Sequence, residues 1–261
     1  MRVGILYQED PVVFGPFLRK TILARPQDVA VVIKAGVRDA GGHPKTWRAW
    51  AAYWSSLWLI WETRGFVKAQ LKRAGLSRES GSVEELAHEL GIPVLECTDP
   101  NDPGFRAQLA EHRLDVVFNQ SERLLRRPVL EVPRLGFVNR HGSLLPSYRG
   151  RMGSFWAHAA RRPVAGVTVH RIDEGLDSGP ILARETVPVD PRWSYPRVLD
   201  ELFARSPALV WLGIDRLADP TFTPLVNAGG ERPFRVPKLA DAFRYRLRLL
   251  RRRWLTVDSQ L

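Results

Sequence analysis

Two polar side chains at the end of a short apolar run carry the clearest chemical signal in the chain. Asn139 and His141 follow Phe137 and Val138, and Gly- and Pro-containing sequence comes soon after them. Residues two apart on an extended backbone point to the same side, so the amide and the imidazole would face one site. An amide can donate to a developing oxyanion and an imidazole can move a proton.

A second stretch supplies a carboxylate. Residues 164–171 form another apolar run that predicts a strand, and Asp177 follows in the polar loop after it. Each residue also has a structural interpretation. Asn139 could satisfy backbone groups at a strand end, His141 could be structural, and Asp177 before Ser178 could form a turn.

The elements that must position these residues alternate between strand and helix, which predicts a mostly parallel sheet. A dinucleotide site is not predicted, because Gln8-Glu9-Asp10-Pro11 follows the first strand, where many nucleotide-binding α/β proteins carry G-x-G-x-x-G. Ligands of open α/β sheets bind at the carboxyl ends of strands. The predicted strands are 2–7, 29–34, 92–95, 114–119, 135–139 and 164–171, and the predicted helices are 16–23, 82–90, 105–111, 154–160 and 195–217.

The two stretches together resemble the folate-dependent formyltransferases. This family contains glycinamide ribonucleotide transformylase, methionyl-tRNA formyltransferase and the sugar-amine N-formyltransferases. The matched pattern is Asn-x-His-x-Ser-Leu-Leu-Pro-x-Tyr-Arg-Gly at 139–150, then Gly-x-Thr-x-His at 166–170 and Asp177. The resemblance implies a Rossmann-like α/β fold, with a catalytic domain at 1–190 and a C-terminal helical extension at 191–261 packed on the same domain.

The resemblance also implies an activity, the transfer of a formyl group from 10-formyltetrahydrofolate to an amine. Asn139 would donate to the oxyanion, protonated His141 would stabilise it, and Asp177 would keep His141 protonated and take part in proton transfer. His170 belongs to the motif and is interpreted as structural. The implied folate-binding residues form two loops, namely Arg123, Leu124, Leu125 and Arg126, and Ile172, Asp173 and Glu174.

The first of these loops departs from the family pattern. Asn119, Gln120 and Glu122 stand where apolar and Gly residues are common. The shape of the folate pocket is therefore left open by the sequence.

Two segments have no counterpart in the short members of the family. A helical insertion is predicted at 46–75, with Trp47, Trp50, Trp54, Trp58 and Trp61 on one face. A second basic amphipathic stretch follows at 243–254, which is either a solvated helix face or a peripheral contact with membrane phospholipid or a phosphorylated substrate. A Trp-rich face beside basic residues is typical of an interfacial membrane helix over 46–73, but packing on the core or in a homodimer gives the same pattern.

Bulk composition indicates which classes of partner and which cellular location to expect. Lys and Arg number 39 against 28 Asp and Glu, and a net charge of +11 favours anionic partners. The single Cys97 excludes an intramolecular disulfide. With no signal peptide or membrane-spanning run recognised, we expect a cytoplasmic location, with peripheral contact at the inner face of the membrane as an alternative.

The expected acceptor is an amino sugar on a nucleotide or lipid carrier. A methionyl-tRNA acceptor is disfavoured because its formyltransferases carry a C-terminal barrel domain, whereas the residues after 190 show no series of alternating strands. A glycinamide ribonucleotide acceptor is disfavoured because residues 8–11 do not match the first loop of the purine-pathway enzyme. A formyltransferase-fold binding protein without activity stays an alternative. An RNA-binding protein is less expected, because the aromatic residues follow helical spacing rather than lining a sheet or groove.

Overall fold

The computed structural model describes residues 1–8, 14–36, 82–160, 163–228 and 232–254. For residues 253 and 254 it describes the backbone alone. The predicted insertion at 46–75 lies outside these residues. The strands are β1 (Val3–Gln8), β2 (Val29–Ala35), β3 (Val94–Cys97), β4 (Val116–Gln120), β5 (Phe137–His141), β6 (Ala165–Arg171) and β7 (Ile181–Val187). The helices are α1 (Phe14–Ala24), α2 (Val83–Glu89), α3 (Pro103–Glu111), α4 (Arg127–Leu130), α5 (Gly153–Ala159), α6 (Tyr195–Ala218) and α7 (Leu239–Trp254), with a 3-10 turn at Pro26–Asp28.

One seven-stranded sheet forms the centre, in the order β3-β2-β1-β4-β5-β6-β7. The strands from β3 to β5 are parallel, which confirms the predicted α/β fold. β6 runs antiparallel to β5, and β7 runs antiparallel to β6. β7 was not predicted. The loop between β6 and β7 is shorter than the dozen or more residues that a parallel crossover requires, so these two strands form a hairpin.

Apolar side chains cover both faces of the sheet. On one face, α1 and α6 pack over residues such as Ile5, Val138 and Val169. On the other, Phe105 and Leu109 of α3 pack with Val31 and other strand residues. Burial on both faces explains why the strands read as continuous apolar runs rather than as alternating sequence.

Local chemistry accounts for several element boundaries. Ser82 and Glu85 form the predicted capping box at α2, with Glu85 N donating to Ser82 Oγ at 3.0 Å and Ser82 N donating to Glu85 Oε2 at 2.7 Å. β3 begins two residues later than predicted because Pro93 has no N–H to donate to a ladder. Among the described residues, no helix is long and apolar enough to cross a membrane.

Candidate active site

β5 presents Asn139 and His141 on one face of the sheet, as their spacing predicted. On the neighbouring antiparallel strand, His170 lies directly opposite Asn139 and Thr168 lies opposite His141. Side chains directly opposite each other in an antiparallel pair share a face. The register between β5 and β6 therefore places a second imidazole beside the predicted pair.

His170 contacts the amide of Asn139. Its Nε2 is 3.4 Å from Asn139 Nδ2, and its Nδ1 is 3.0 Å from the carbonyl oxygen of Arg171. Burial, opposed by the charge of Asp177 and reinforced by the nearby His141, lowers the pKa of His170 to about 4. A neutral His170 that donates from Nδ1 to the Arg171 carbonyl offers the Nε2 lone pair to Asn139. The interpretation of His170 as structural overlooked this contact.

His141 faces an oxygen at each ring nitrogen. Nδ1 is 3.5 Å from Asp177 Oδ2, and Nε2 is 3.0 Å from the backbone carbonyl oxygen of Tyr148. Both neighbours accept hydrogen bonds, so the surroundings suit an imidazole with two N–H donors. The structure therefore brings His141 and Asp177 together, as the sequence predicted.

Asp177 reaches His141 through a loop that folds back along the sheet. β6 is antiparallel to β5, so its last residue, Arg171, lies level with Val138 rather than beyond His141. The following loop reverses to bring Asp177 Oδ2 to His141, while Asp177 Oδ1 is 3.7 Å from His170 Nε2. One carboxylate thus lies next to both imidazoles.

Backbone and side-chain contacts hold Asp177 in this position. Its φ of 49° lies in the left-handed region, which Asp tolerates better than most residues. Gly150 N donates to Asp177 Oδ2 at 2.8 Å, and Asn227 Nδ2 donates to the Asp177 carbonyl oxygen at 2.9 Å. Asn227 also donates to the Gly179 carbonyl oxygen at 2.9 Å. Sequence reasoning missed Asn227, because nothing local marks a contact with a loop 50 residues earlier.

A C-terminal segment lies against the loop that contains Gly150. Phe234 forms a backbone bridge with Gly150, donating to Arg149 O at 2.7 Å and accepting from Arg151 N at 2.9 Å. The Phe234 ring stacks on Tyr148 with 5.4 Å between centroids, and it lies equally close to Trp156. Residues near the end of the chain thus complete the surroundings of Asp177.

Residues 68–205 match a family model described as formyl transferase. The chain belongs to the formyl transferase family. It is 39% identical over 163 residues to the methionyl-tRNA formyltransferase of Roseiflexus sp. strain RS-1, which covers 61% of this chain and 50% of that protein. The chain spans about half the length of the curated relatives it matches, since the corresponding share is 43% for the protein from Deinococcus radiodurans.

Solved formyltransferase structures share this fold. A phosphoribosylglycinamide formyltransferase from Anaplasma phagocytophilum superposes with a TM-score of 0.58 at 20% identity, covering 88% of this chain and 96% of that one. A sugar N-formyltransferase from Shewanella sp. superposes with a TM-score of 0.53 at 14% identity, covering 96% of this chain and 88% of that one. At these identities, the likeness establishes the formyl transferase fold alone.

The structure also places the loop predicted to wrap the donor of a formyl transferase. Ile172 N donates to Phe137 O at 2.8 Å, and its side chain packs against the core. Asp173 Oδ1 accepts from Gly175 N at 3.1 Å and from Ser178 Oγ at 2.6 Å. Glu174 is exposed. The Asp173 carboxylate therefore shapes this loop, whereas the Glu174 carboxylate faces solvent.

The residues predicted on the other side of the donor pocket differ in exposure. Leu125 packs in the core, while Leu124 is 64% exposed. Arg123 Nη2 donates to Gly36 O at 2.7 Å, and Arg126 N donates to Asn101 Oδ1 at 2.8 Å. Asn101 was not predicted, although it also donates to Leu124 O at 2.9 Å. The pocket role of Leu125 and its neighbours stays a prediction.

Two buried polar atoms lie near the point where the chain order of the sheet reverses. Within the described ranges, Gln120 Oε1 and Arg123 Nε are buried without a hydrogen-bond partner. Gln120 is the last residue of β4 and pairs with Tyr7 of β1. After these two adjacent strands the chain crosses over in opposite directions, from β1 to β2 and from β4 to β5. Ligands of doubly wound sheets bind at such a point. An unpaired acceptor and donor there fit a polar heterocycle such as a pterin.

An ion pair connects the two sides of the site. Arg151 Nη2 is 2.7 Å from Glu122 Oε2, which joins the loop after β4 to the start of α5. No group of His, Cys, Asp and Glu suited to a metal ion occurs among the residues that the structure describes.

Proposed function

We propose that this protein transfers a formyl group from 10-formyltetrahydrofolate to a primary amine. The observation that carries the proposal is the convergence of Asn139, His141 and Asp177 in one place, with 3.5 Å between His141 Nδ1 and Asp177 Oδ2. Membership of the formyl transferase family supports the same chemistry. The donor supplies a formyl group attached to a nitrogen atom that leaves as an amine.

Asn139 and His141 stabilise the negative charge that develops on the formyl oxygen. The contact with His170 occupies one N–H of the Asn139 amide and leaves the second for that oxygen. His141 contributes the positive charge of its imidazolium form. Removing one preorganised donor of this kind typically lowers the rate by about 100- to 1000-fold.

Asp177 acts as the general base and then as the general acid. The new C–N bond forms between the acceptor amine and the formyl carbon, and the bond from that carbon to the donor nitrogen breaks. Asp177 accepts the proton that the amine loses and returns it to the departing nitrogen, directly or through water. Gly150 N holds the Asp177 carboxylate at 2.8 Å, so the base is fixed before the amine arrives.

The donor side of this proposal includes the two predicted loops. Gln120 and Arg123 offer the buried unpaired atoms, and residues 172–174 begin the loop that leads from the end of β6 back to Asp177. The wrapping role of Ile172, Asp173 and Glu174 would be carried by backbone groups, since the Asp173 side chain is already occupied within the loop.

For the acceptor, we propose an amino sugar attached to a nucleotide or lipid phosphate. The loop at Gly150 carries Arg149 and Arg151, and the segment beside it carries the exposed Arg235. Guanidinium groups recognise phosphate oxygens in a bidentate manner. The partly exposed rings of Phe234 and Trp156 border the same region and suit contact with a sugar or a base.

Methionyl-tRNA is the second candidate acceptor. It is supported by 39% identity over 163 residues to a methionyl-tRNA formyltransferase, and by the +11 net charge. The two candidates differ in what binds the acceptor. A tRNA would contact a broad basic surface and bind with a steep dependence on salt, whereas an amino sugar would depend mainly on the residues around Gly150.

The decisive experiment measures donor binding and formyl transfer in the same variants. Asp177→Asn is preferred to an alanine variant because Asn also tolerates the left-handed backbone at this position. Calorimetry with 5-formyltetrahydrofolate, a stable donor mimic, should show saturable binding by wild type and binding within about tenfold by Asp177→Asn. Formyl transfer by that variant should fall by about 100-fold or more.

Asp190→Asn is the matched control, because Asp190 pairs with Arg192 outside the site. It should leave both binding and transfer near wild-type values. Absence of mimic binding by folded wild type would refute the donor assignment. Normal transfer by Asp177→Asn would refute the role of the carboxylate.

A panel of acceptors then separates the candidates. Amino-sugar nucleotides, an amino-sugar lipid phosphate, glycinamide ribonucleotide and methionyl-tRNA are each offered with 10-formyltetrahydrofolate. A formylated amino sugar at a kcat/KM at least about tenfold above the others would support the proposed acceptor class. Preference for methionyl-tRNA would overturn it and leave the formyl transfer proposal intact.

A further inference from the structure

α7 exposes a row of apolar side chains on its outer face. Leu239, Phe243, Leu247 and Leu250 are 42%, 55%, 41% and 40% exposed. They recur at steps of three and four residues, so they occupy an arc of about 80° at 100° per residue. Scattered exposed apolar residues are common, but a continuous row on one helix is not explained by chance exposure.

A different face of α7 satisfies its packing on the protein. Ala242, Tyr245 and Leu249 are buried and contact Phe155 and Ala159 of α5 in one cluster. These residues account for the attachment of α7 to the domain. The outer row is therefore additional to the apolar surface that the fold requires.

Arginine side chains hold α7 in this orientation. Arg248 Nη1 donates to Ala159 O at 2.6 Å, and Arg252 Nη2 donates to Ala160 O at 2.6 Å. Both carbonyls lie at the C-terminal end of α5, where backbone acceptors lack intrahelical partners. These two hydrogen bonds keep the apolar row of α7 on the side away from the domain.

Positive charge borders the apolar row on both sides. At 100° per residue, Arg244 and Arg251 follow one edge and Arg246 follows the other. α7 contains six Arg and a single acidic residue, Asp241. Asp241 is itself paired with Arg235 and Arg244. The face therefore combines apolar contact area with a strongly basic border.

We propose that this face of α7 docks on the surface of an anionic phospholipid bilayer. Leu and Phe side chains at the centre would enter the boundary of the acyl chains while the bordering guanidinium groups reach the phosphates. The basic border selects an anionic surface over a neutral one. The helix would lie on the membrane, consistent with the described helices being too short or too polar to span one.

The test is sedimentation of the full chain with vesicles. Phosphatidylglycerol–phosphatidylcholine vesicles are compared with pure phosphatidylcholine vesicles at low and high salt. We expect wild type to bind the anionic vesicles, to bind neutral vesicles at least about tenfold more weakly, and to lose affinity as salt rises. Failure to bind the anionic vesicles at low salt would overturn the proposal.

Phe243→Glu with Leu247→Glu tests the role of α7 itself. The double variant should lose at least about tenfold in vesicle affinity, because it places two carboxylates in the apolar row. Leu23→Glu with Leu212→Glu is the matched control, since these residues of α1 and α6 are 53% and 41% exposed on other faces. The control should bind like wild type.

Two outcomes would overturn the assignment of this face. Equal vesicle binding by Phe243→Glu/Leu247→Glu and wild type would place the membrane contact elsewhere in the chain. Alternatively, wild type could be a dimer in sedimentation velocity and the variant a monomer with unchanged vesicle binding. That result would show that the apolar row contacts a second copy of the chain. Circular dichroism and thermal unfolding should show that both double variants fold. None of these measurements depends on formyl transfer.

Discussion

Asn139 and His170 are direct cross-strand partners on β5 and β6, with 3.4 Å between Asn139 Nδ2 and His170 Nε2. The contact fixes the plane of the amide, and so the direction of the N–H that would meet the formyl oxygen. It also depends on a neutral His170, since a protonated ring would offer no lone pair to the amide. The burial that lowers the pKa of His170 to about 4 therefore contributes to the geometry of Asn139.

His170→Phe should lower kcat by about 10- to 100-fold, the range seen when the hydrogen-bond partner of a metal-ligating side chain is removed. The ring keeps much of the volume but leaves the Asn139 amide without its acceptor. The KM for the donor should change by less than about twofold. Steady-state kinetics over a range of donor concentrations measures both values. His88→Phe, at an exposed position on α2, is the control, and an unchanged kcat in His170→Phe would contradict the positioning role.

Gly150→Ala should impair both folding stability and activity. A Cβ at Gly150 would lie 2.5 Å from Phe234 O and 2.9 Å from Phe234 N, and the φ of 92° already disfavours any side chain. Displacement of the segment at Phe234 would also move Gly150 N away from Asp177. We expect a stability loss of about 2 kcal/mol or more and a kcat reduced by about tenfold or more.

Gly91→Ala separates backbone strain from this clash. Gly91 has a φ of 66° and no atom within 4 Å of its added Cβ, so only the strain of about 1 kcal/mol applies. Thermal unfolding and kinetics of the two variants should be compared directly. Equal losses in both would show that the contact with Phe234 contributes nothing.

The stability of the protein should fall as the pH decreases from about 6.5 to about 4. Burial lowers the pKa of His158 to about 4, and the positive charge of Arg252 acts in the same direction. In the unfolded chain His158 titrates near 6.5, so below that pH the unfolded state binds a proton that the folded state does not. Its contribution is complete above pH 6.5 and is lost as the pH falls toward 4, at roughly 1.4 kcal/mol per pH unit.

His158→Gln tests this pH dependence. Glutamine removes the ionisation and can still bond the Tyr245 hydroxyl, which lies 3.3 Å from His158 Nδ1. Urea unfolding at pH 7, 5.5 and 4.5 should show a flatter decline in the free energy of unfolding for the variant. His170 has a similarly lowered pKa, so part of the decline should persist. Parallel curves for wild type and variant would contradict the assignment to His158.

Arg140→Met should stabilise the protein or leave its stability unchanged. Arg140 lies on the face of β5 opposite Asn139, and within the described residues it has no carboxylate in contact and an unpartnered Nη2. Burial lowers the pKa of its guanidinium to about 10, so it remains charged near neutral pH. Replacing a buried charge with an apolar side chain of similar volume is often neutral or stabilising by about 1–4 kcal/mol.

Thermal and urea unfolding of Arg140→Met measure this change. The bond from Arg140 Nε to Ser206 Oγ would be lost, but Ser206 still donates to Leu202 O at 2.6 Å. Arg140→Lys is the comparison, because it keeps the charge and loses the stacking on Phe203, where the guanidinium lies 4.3 Å from the ring centroid. A Met variant that is less stable than the Lys variant would show that the stacked cation contributes more than its burial costs.

The sequence predicted most elements of the sheet and several helix ends. Ser82 and Glu85 identified the start of α2, because a capping box is formed by residues only three apart. α3 began at Pro103 rather than at the predicted position 105, since Asp102 caps the helix and Pro is accepted in its first turn. The catalytic roles of Asn139, His141 and Asp177 and the proposed domain boundaries at 190 and 191 remain predictions.

The two loops predicted to bind the donor are held by contacts between residues far apart in the chain. The family resemblance predicts that Leu125 lines a pocket, and the structure adds that its side chain packs against the core. Asn101 binds Arg126 in a loop 25 residues later, and Asn227 binds Asp177 in a loop 50 residues earlier. Contacts over such separations depend on how helices and strands pack, and no spacing rule within one segment reports them.

The sequence by itself determined the α/β alternation, the placement of Asn139 and His141 on one face of β5, and the residue types available for proton transfer. These features follow from backbone periodicity and capping, which act within a few residues. Only the tertiary structure decided that β6 runs antiparallel to β5, that His170 therefore contacts Asn139, and that Asp177 folds back to His141. Strand direction and register are set by the burial of whole elements on both faces of the sheet, so they become defined only when the chain is packed.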